Sequence, residues 1–191
     1  MIFPCSVKLV GGPGVGKTTL REKFLYPDYV YTYDPGETSH YPSVCIMLEN
    51  VETELIFIDG DTSELDTQAT LVIFSVTDPA SLTIAQAKLE LDLVESDYTD
   101  NAIILVGNKV DLVRTRMVPI HGKFLLLLVT DWSLWRLLTE ARAVAIARDC
   151  KYVEVSASLG HNVDTLLVGV VKQIRLKLAE LAERSSYARW R

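Results

Sequence analysis

A glycine-rich segment near the start of the chain carries residue types whose spacing suits phosphate binding. Residues 11–18 read Gly-Gly-Pro-Gly-Val-Gly-Lys-Thr, which fits the pattern G-x-x-x-x-G-K-S/T. Glycines let the backbone curl so that several N–H groups point at phosphate oxygens, while Lys17 adds a positive charge and the Thr18 hydroxyl can bind Mg²⁺. The candidate phosphate-binding residues are Gly12, Pro13, Gly14, Val15, Gly16, Lys17, Thr18 and Thr19.

The elements on either side of this segment have the order that such a loop requires. Residues 5–10 predict a short buried strand, and residues 17–25 predict a helix whose N-terminus adds a partial positive charge. Further strands are predicted at 44–48, 54–58, 71–76, 102–106 and 152–155, a turn at 49–52, and further helices at 81–95, at 140–149 and from 162 onward. Strands that alternate with helices indicate an α/β fold, with a mostly parallel sheet flanked by helices.

A second group of polar residues follows the predicted strand at 102–106. The segment Asn108-Lys109-Val110-Asp111 fits the motif N-K-x-D, and Ser156-Ala157-Ser158 follows the last predicted strand. With these segments the chain resembles the Ras-like small GTPases, P-loop proteins in which N-K-x-D selects guanine. The resemblance extends from about residue 6 to residue 178.

The resemblance implies a guanine-nucleotide site. In it, Asp111 would accept from the base's N1 and amino groups, the Lys109 stem would pack on the base or loop, and Asn108 would brace the loop. A backbone N–H, usually that of Ala157, would meet the guanine carbonyl. Adenine would leave Asp111 unpaired and would be rejected. The implied guanine-binding residues are Asn108, Lys109, Asp111, Ser156, Ala157 and Ser158.

The implied cofactors are GTP or GDP with Mg²⁺, held by Thr18 and, through water, by Asp59. However, Gly36 stands where the family has the threonine that binds Mg²⁺ and senses the γ-phosphate, and Thr38 could substitute only if the loop shifts. Pro13 stands where Ras has glycine, and its ring would crowd the attacking water.

The second switch region departs from the family pattern as well. Thr62 stands in place of the glycine that senses the γ-phosphate, and Ser63 in place of the glutamine that orients the attacking water. Eleven residues, 60–70, separate Asp59 from the next predicted strand, where Ras-like domains have most of a helix. The nucleotide-holding residues are therefore present, while those that cleave the γ-phosphate are altered.

Among Ras relatives, the chain is most similar to the Rad, Rem and Gem/Kir subfamily. The similar stretches are 12–18, 103–112 and 149–158, with continuations at 161–163 and 169–176. This resemblance implies a regulator with slow or partner-dependent GTP hydrolysis that restrains voltage-gated calcium channels through the channel β subunit. The alternative is a competent GTPase switch, with Thr38 and Gln68 as displaced catalytic groups or with groups from a partner. An impaired product of an imperfect gene model is a third possibility, and an ATP-using enzyme, which Asp111 disfavours, a fourth.

The domain organisation is one Ras-like domain at 1–183, with an atypical insert at 121–138 and a short tail at 184–191. The insert is leucine-rich and contains two tryptophans. It is either an insertion whose apolar side chains bind a partner or membrane, or translated intron. We favour the intron hypothesis, because eighteen codons keep the frame and residues 122–124 can be encoded by a donor splice sequence. Sequencing transcripts across the junction decides between the two.

Composition and charge limit the partners. The 191 residues carry a net charge of −6, which argues against a nucleic-acid partner. Three scattered cysteines argue against a disulfide framework and a zinc site. The start of the chain lacks the pattern of a secretory signal, so we expect the cytoplasm or the inner face of the plasma membrane. We also expect a monomer. The tail, with its three arginines and Trp190, could contact anionic lipid or calmodulin, or be a frayed end.

Overall fold

A computed structural model describes residues 3–26, 42–59, 67–95, 101–114 and 132–188. The predicted strands appear along these residues in the predicted order, with helices between most of them. In chain order the elements are β1 (Phe3–Gly11), α1 (Lys17–Leu25), β2 (Ser43–Leu48), β3 (Val51–Asp59), β4 (Ala69–Ser75), α2 (Pro79–Glu95), β5 (Ala102–Asn108), α3 (Asp111–Arg114), α4 (Trp132–Ala147), β6 (Lys151–Glu154) and α5 (Val163–Ala188).

The strands form one sheet in the order β2-β3-β1-β4-β5-β6. Only the β2–β3 pair is antiparallel among the described strands, and the other neighbours are parallel. The predicted α/β fold, a mostly parallel sheet flanked by helices, is therefore confirmed. Since parallel strands end at the same edge, the segments that follow β1, β5 and β6 lie together.

Two apolar clusters cover the two faces of the sheet. One packs the sheet against α1 and α5 and includes Phe24 and Leu166. The other packs it against α2 and α4 and includes Leu82 and Leu137. The strand β4 is buried at all seven positions because its side chains alternate between the two clusters. The apolar run at 71–76 correctly predicted a strand that is buried on both faces.

The turn between β2 and β3 is shorter than predicted. Only Glu49 and Asn50 lie between the strands, with φ of 54° and 61°, as a two-residue hairpin turn requires. The guanidinium of Arg175 on α5 donates to the backbone carbonyls of Leu48 and Val51, each at 3.0 Å. These bonds fix the hairpin against the last helix.

The helices differ from the predictions in three main respects. The one-turn helix α3 was not predicted. The helix α4 starts at Trp132 instead of near residue 140, so residues 132–138 of the insert form its first turns, and Leu137 among them is buried. The rest of the insert, 121–131, lies outside the described residues. The helix α5 continues to Ala188, through the first residues of the predicted tail, and 189–191 lie outside the description.

The three cysteines of the chain all lie within the described residues. Cys5, Cys45 and Cys150 are free thiols. Burial raises the pKa of each thiol above its ordinary value, so each stays protonated at neutral pH.

Within the described ranges, no group of three or more metal-binding side chains lies close enough together to hold a metal ion. None of the helices in these ranges has the length and hydropathy needed to cross a bilayer.

Candidate nucleotide-binding site

The predicted phosphate loop is the turn that joins β1 to α1. β1 ends at Gly11 and α1 begins at Lys17, so the loop lies at the carboxyl edge of the sheet. Gly16 precedes the helix with φ of 95°, and Gly14 has φ of 71°. A side chain at either residue would strain the backbone. The first N–H groups of α1, which have no partner within the helix, directly follow this turn and form an anion-binding arrangement.

Two glycines of this loop are also required by close contacts. A Cβ on Gly11 would overlap the backbone oxygen of Ile73 on β4. A Cβ on Gly16 would overlap the side-chain amide nitrogen of Asn108. The second contact means that the phosphate loop packs directly on the last residue of β5.

The charged and hydroxyl groups of the loop lie around this turn. The Lys17 ammonium donates to the backbone oxygens of Gly11 at 3.0 Å and Gly12 at 2.8 Å, so it lies over the loop. Val15 is buried and anchors the loop to the core. Thr18 and Thr19 are exposed in the first turn of α1. The loop therefore places one positive charge and two hydroxyls at the start of the helix.

Asn108 joins three loops. It ends β5, is 2% exposed, and its amide nitrogen donates to the Val15 oxygen in the phosphate loop at 2.9 Å. Its amide oxygen accepts from the backbone nitrogens of Lys109 at 2.8 Å and Ala157 at 3.0 Å. These three bonds hold the phosphate loop, the N-K-x-D segment and the loop after β6 together.

Lys109 and Asp111 are held by their neighbours. Lys109 has φ of 69°, and its ammonium donates to the Gly14 oxygen at 2.7 Å, a second link from this segment to the phosphate loop. The Asp111 carboxylate accepts from the Ser156 hydroxyl at 2.6 Å. A carboxylate is an acceptor only, so Asp111 is suited to a ligand that presents neighbouring N–H donors.

The third loop follows β6 and is closed by an isolated pairing of Ser156 with His161. The hydroxyls of Ser156 and Ser158 lie 3.0 Å apart. The Ala157 N–H, which was expected to meet a guanine carbonyl, donates to Asn108 in this structure. This bond fixes the position of Ala157, and its contact with a base stays a prediction.

One residue beside the site escaped the sequence analysis. Gly107 precedes Asn108 inside the buried strand β5 and has close neighbours from β4 and β6. A glycine within a strand often marks a close approach of another group, and this signal was present in the sequence.

Comparison with known proteins decides the family of this chain. A family model described as "Ras family" matches residues 6–176. The chain belongs to the Ras family. It is 34% identical over 181 residues to the GTP-binding protein RAD from Mus musculus, and the aligned region covers 90% of this chain and 52% of that protein.

Two human relatives give a similar picture. The chain is 31% identical over 192 residues to the GTP-binding protein REM 1, with 93% of this chain and 57% of that protein covered. It is 33% identical over 186 residues to the GTP-binding protein GEM, with 90% and 56% covered. The chain thus spans about half the length of these curated relatives. The expected Ras-like fold and the similarity to Rad, Rem and Gem proteins are confirmed.

Thr18 and Asp59 fit, by residue type and backbone position, the Mg²⁺ that Ras-family membership implies. Thr18 is exposed in the first turn of α1, beside the loop that would hold phosphates. Asp59 ends β3 and pairs with Leu9, two residues before Gly11, so its backbone lies at the same edge of the sheet. Hydroxyl and carboxylate oxygens are the ligands that Mg²⁺ prefers.

Several of the altered switch positions lie outside the described residues. These are Gly36, Thr38, Thr62 and Ser63. Because β4 begins at Ala69, the connection from the end of β3 is the stretch 60–68, which is shorter than the sequence analysis expected. This connection is therefore shorter than the dozen residues or more, commonly including a helix, that a crossover between parallel strands usually needs.

The suggestion that Gln68 acts as a displaced catalytic group is wrong. Its side-chain oxygen accepts from the Ser6 nitrogen at 2.6 Å, and its backbone nitrogen donates to the Ser6 oxygen at 2.9 Å. Gln68 directly precedes Ala69, the first residue of β4, and Ser6 lies near the middle of β1, roughly 16 Å from Gly11 at about 3.3 Å per residue. Gln68 therefore lies near the amino edge of the sheet, whereas the phosphate loop lies at its carboxyl edge.

Proposed function

We propose that this Ras-family chain binds GTP and GDP with Mg²⁺ and acts as a regulator that hydrolyses GTP slowly. The observation that carries the proposal is Asn108, whose buried amide joins the phosphate loop, the N-K-x-D segment and the Ser156-Ala157-Ser158 loop. Lys17 and Thr18 would hold phosphates and Mg²⁺, with Asp59 as a further ligand. Asp111 would select guanine. The names of the related RAD, REM 1 and GEM proteins support nucleotide binding.

Replacing Lys17 with alanine is expected to empty the site. The purified wild-type protein and Lys17→Ala, both kept in Mg²⁺, are denatured, and the released nucleotide is identified by chromatography. We expect guanine nucleotide from the wild type and little from the variant, because the variant lacks the positive charge that lies over the loop. Lys177→Ala, far along α5, is the matched control and should retain its nucleotide.

The opposite result has a clear meaning. A well-folded wild-type protein that releases no nucleotide and takes up neither added GTP nor added GDP would refute the proposal. The chain would then be a scaffold with the fold of a GTP-binding protein.

Slow hydrolysis distinguishes this proposal from a competent GTPase. The alternative needs a group that orients the attacking water, and Gln68 does not lie at the site. In single-turnover hydrolysis of GTP, we expect Gln68→Ala to leave the slow rate unchanged within about twofold. The lost bond to Ser6 should lower the free energy of unfolding by about 1–2 kcal/mol. A rate that falls more than tenfold would restore Gln68 as a catalytic group.

The proposed output is binding to another protein, with the voltage-gated calcium channel β subunit as the first candidate and calmodulin as the second. The support is the similarity to Rad, Rem and Gem proteins. We place the protein in the cytoplasm or at the inner face of the plasma membrane. Surface plasmon resonance with a purified β subunit should show saturable binding, and its absence at micromolar concentrations would remove this partner.

A further inference from the structure

A buried tyrosine next to the nucleotide site has a hydroxyl that meets no partner at hydrogen-bonding distance and angle among the described residues. Among the described residues, the oxygen of Tyr152 on β6 is inaccessible to solvent and unpaired. Its ring stacks on Phe74 of β4, with centroids 6.3 Å apart, and the Arg142 guanidinium of α4 lies 5.9 Å from the ring centroid. An unpaired buried hydroxyl is unfavourable, so its presence calls for a physical reason.

The hydroxyl lies against Gly107. A Cβ on Gly107 would lie 3.0 Å from the Tyr152 oxygen, 3.1 Å from Val76 and 3.2 Å from Phe74. All three distances are shorter than ordinary van der Waals contact. Gly107 does not have the positive φ that favours glycine, so it is glycine because space is limited. The hydroxyl thus belongs to a tightly packed wall beside this residue.

Gly107 is directly bonded to Asn108, the residue that joins the three loops. The Gly107 oxygen accepts from the Val155 nitrogen at 2.8 Å, and the Asn108 oxygen accepts from the Val76 nitrogen at 3.0 Å. The backbone at this point is therefore held from both neighbouring strands, while Tyr152 limits how far it can move sideways. A shift here would displace all three bonds of the Asn108 side chain.

We infer that the Tyr152 hydroxyl is a spacer that fixes Gly107 and, through it, the position of Asn108 in the nucleotide site. Tyr152 is then a positioning residue, since it acts through Asn108 and touches no nucleotide. This inference rests on the proposed guanine-nucleotide binding. It assigns the unpaired hydroxyl a role in ligand retention at some expense of stability.

The chemical state of the hydroxyl suits a spacer. Burial, and then the negative charge of Glu154, raise the pKa of Tyr152 above its ordinary value. The phenol therefore stays neutral at neutral pH. Glu154 is itself paired with Arg142 at 2.9 Å, and the pair keeps the guanidinium over the ring.

The spacer role and a merely structural role predict different results for Tyr152→Phe. Removing an unpaired buried hydroxyl should leave the urea midpoint of the nucleotide-free protein unchanged or raised. Removing the spacer should nevertheless speed the release of a fluorescent GDP analogue by about threefold to tenfold. The exposed Tyr26 provides the matched control, and Tyr26→Phe should change neither quantity. Release at the wild-type rate, or a lower midpoint, would overturn the inference.

A second variant tests the contact itself. Gly107→Ala should speed release by more than about tenfold, because its methyl group must displace three close neighbours. In the double variant with Tyr152→Phe, the vacated oxygen position relieves one of these contacts. Release from the double variant should therefore be slower than the product of the two single effects predicts.

The possible failures can be told apart. If the two effects simply multiply, Tyr152 and Gly107 are not coupled, and the inference is wrong while nucleotide binding stands. If the wild-type protein takes up no GDP analogue at all, the proposed function itself is wrong, and the inference falls with it.

Discussion

Replacing Asp111 with asparagine should change the base that this protein prefers. Guanine presents two neighbouring donors, its N1–H and its amino group, and a carboxylate can accept a hydrogen bond from each. An asparagine amide would place its own N–H donor against one of these two donors. We expect the affinity for GDP to fall by about 10²–10³-fold. Xanthine carries a carbonyl in place of the amino group, so xanthosine diphosphate should bind Asp111→Asn better than it binds the wild type. Competition with a fluorescent nucleotide measures both changes.

Two further variants make this test specific. Asp111→Ala removes the acceptor without adding a donor. Its affinity for GDP should therefore fall, and its affinity for xanthosine diphosphate should not rise. Asp164→Asn makes the same chemical change at an exposed position in the first turn of α5 and should leave both affinities unchanged. Unaltered preference for GDP in Asp111→Asn would show that this carboxylate does not contact the base.

Replacing Asn108 with alanine should weaken both the fold and the nucleotide site. The change leaves the Val15 oxygen and the Lys109 and Ala157 nitrogens without their partner in a region that is buried. We expect the free energy of unfolding to fall by about 2–4 kcal/mol and the release of GDP to accelerate by roughly 10²-fold. Urea unfolding and release of a fluorescent GDP analogue measure the two effects.

Asn108→Asp separates the bonds of this side chain. Aspartate still accepts from Lys109 and Ala157, but it cannot donate to the Val15 oxygen and sets a negative charge against that carbonyl. Asn108→Asp should therefore affect mainly the phosphate loop. GDP should be released faster than from the wild type, and the free energy of unfolding should fall less than in Asn108→Ala. Wild-type behaviour of both variants would mean that Asn108 does not join the loops in solution.

Local sequence patterns were sufficient for most of the fold. Apolar runs such as 71–76 predicted buried strands because a strand inside an α/β sheet is covered on both faces. The glycines, Lys17 and Thr18 predicted the loop between β1 and α1 because their spacing reflects one local turn. The start of α4 was missed because residues 132–138 were assigned to an insert, whereas Leu137 packs in the core.

Gln68 and Ala157 show where local patterns stop being informative. Both had plausible roles by type and position along the chain. Gln68 binds Ser6, which is 62 residues away, at the wrong edge of the sheet for catalysis. The N–H of Ala157 donates to Asn108, 49 residues away. Neither bond can be inferred from the spacing of residues along the chain, because each depends on which strands become neighbours.

The sequence by itself determined which loops have residues suited to a nucleotide and that a parallel sheet brings them to one edge. The phosphate loop and the sheet follow from backbone preferences and hydrophobic spacing over a few residues, whereas the guanine-binding loops were implied by the resemblance to Ras-like small GTPases. Only the tertiary structure decided how the loops are joined. Asn108 reaches Val15 across 93 residues, and the Tyr152 hydroxyl meets Gly107 across two neighbouring strands. Such contacts depend on the packed distances between strands, and packing is a property of the whole fold.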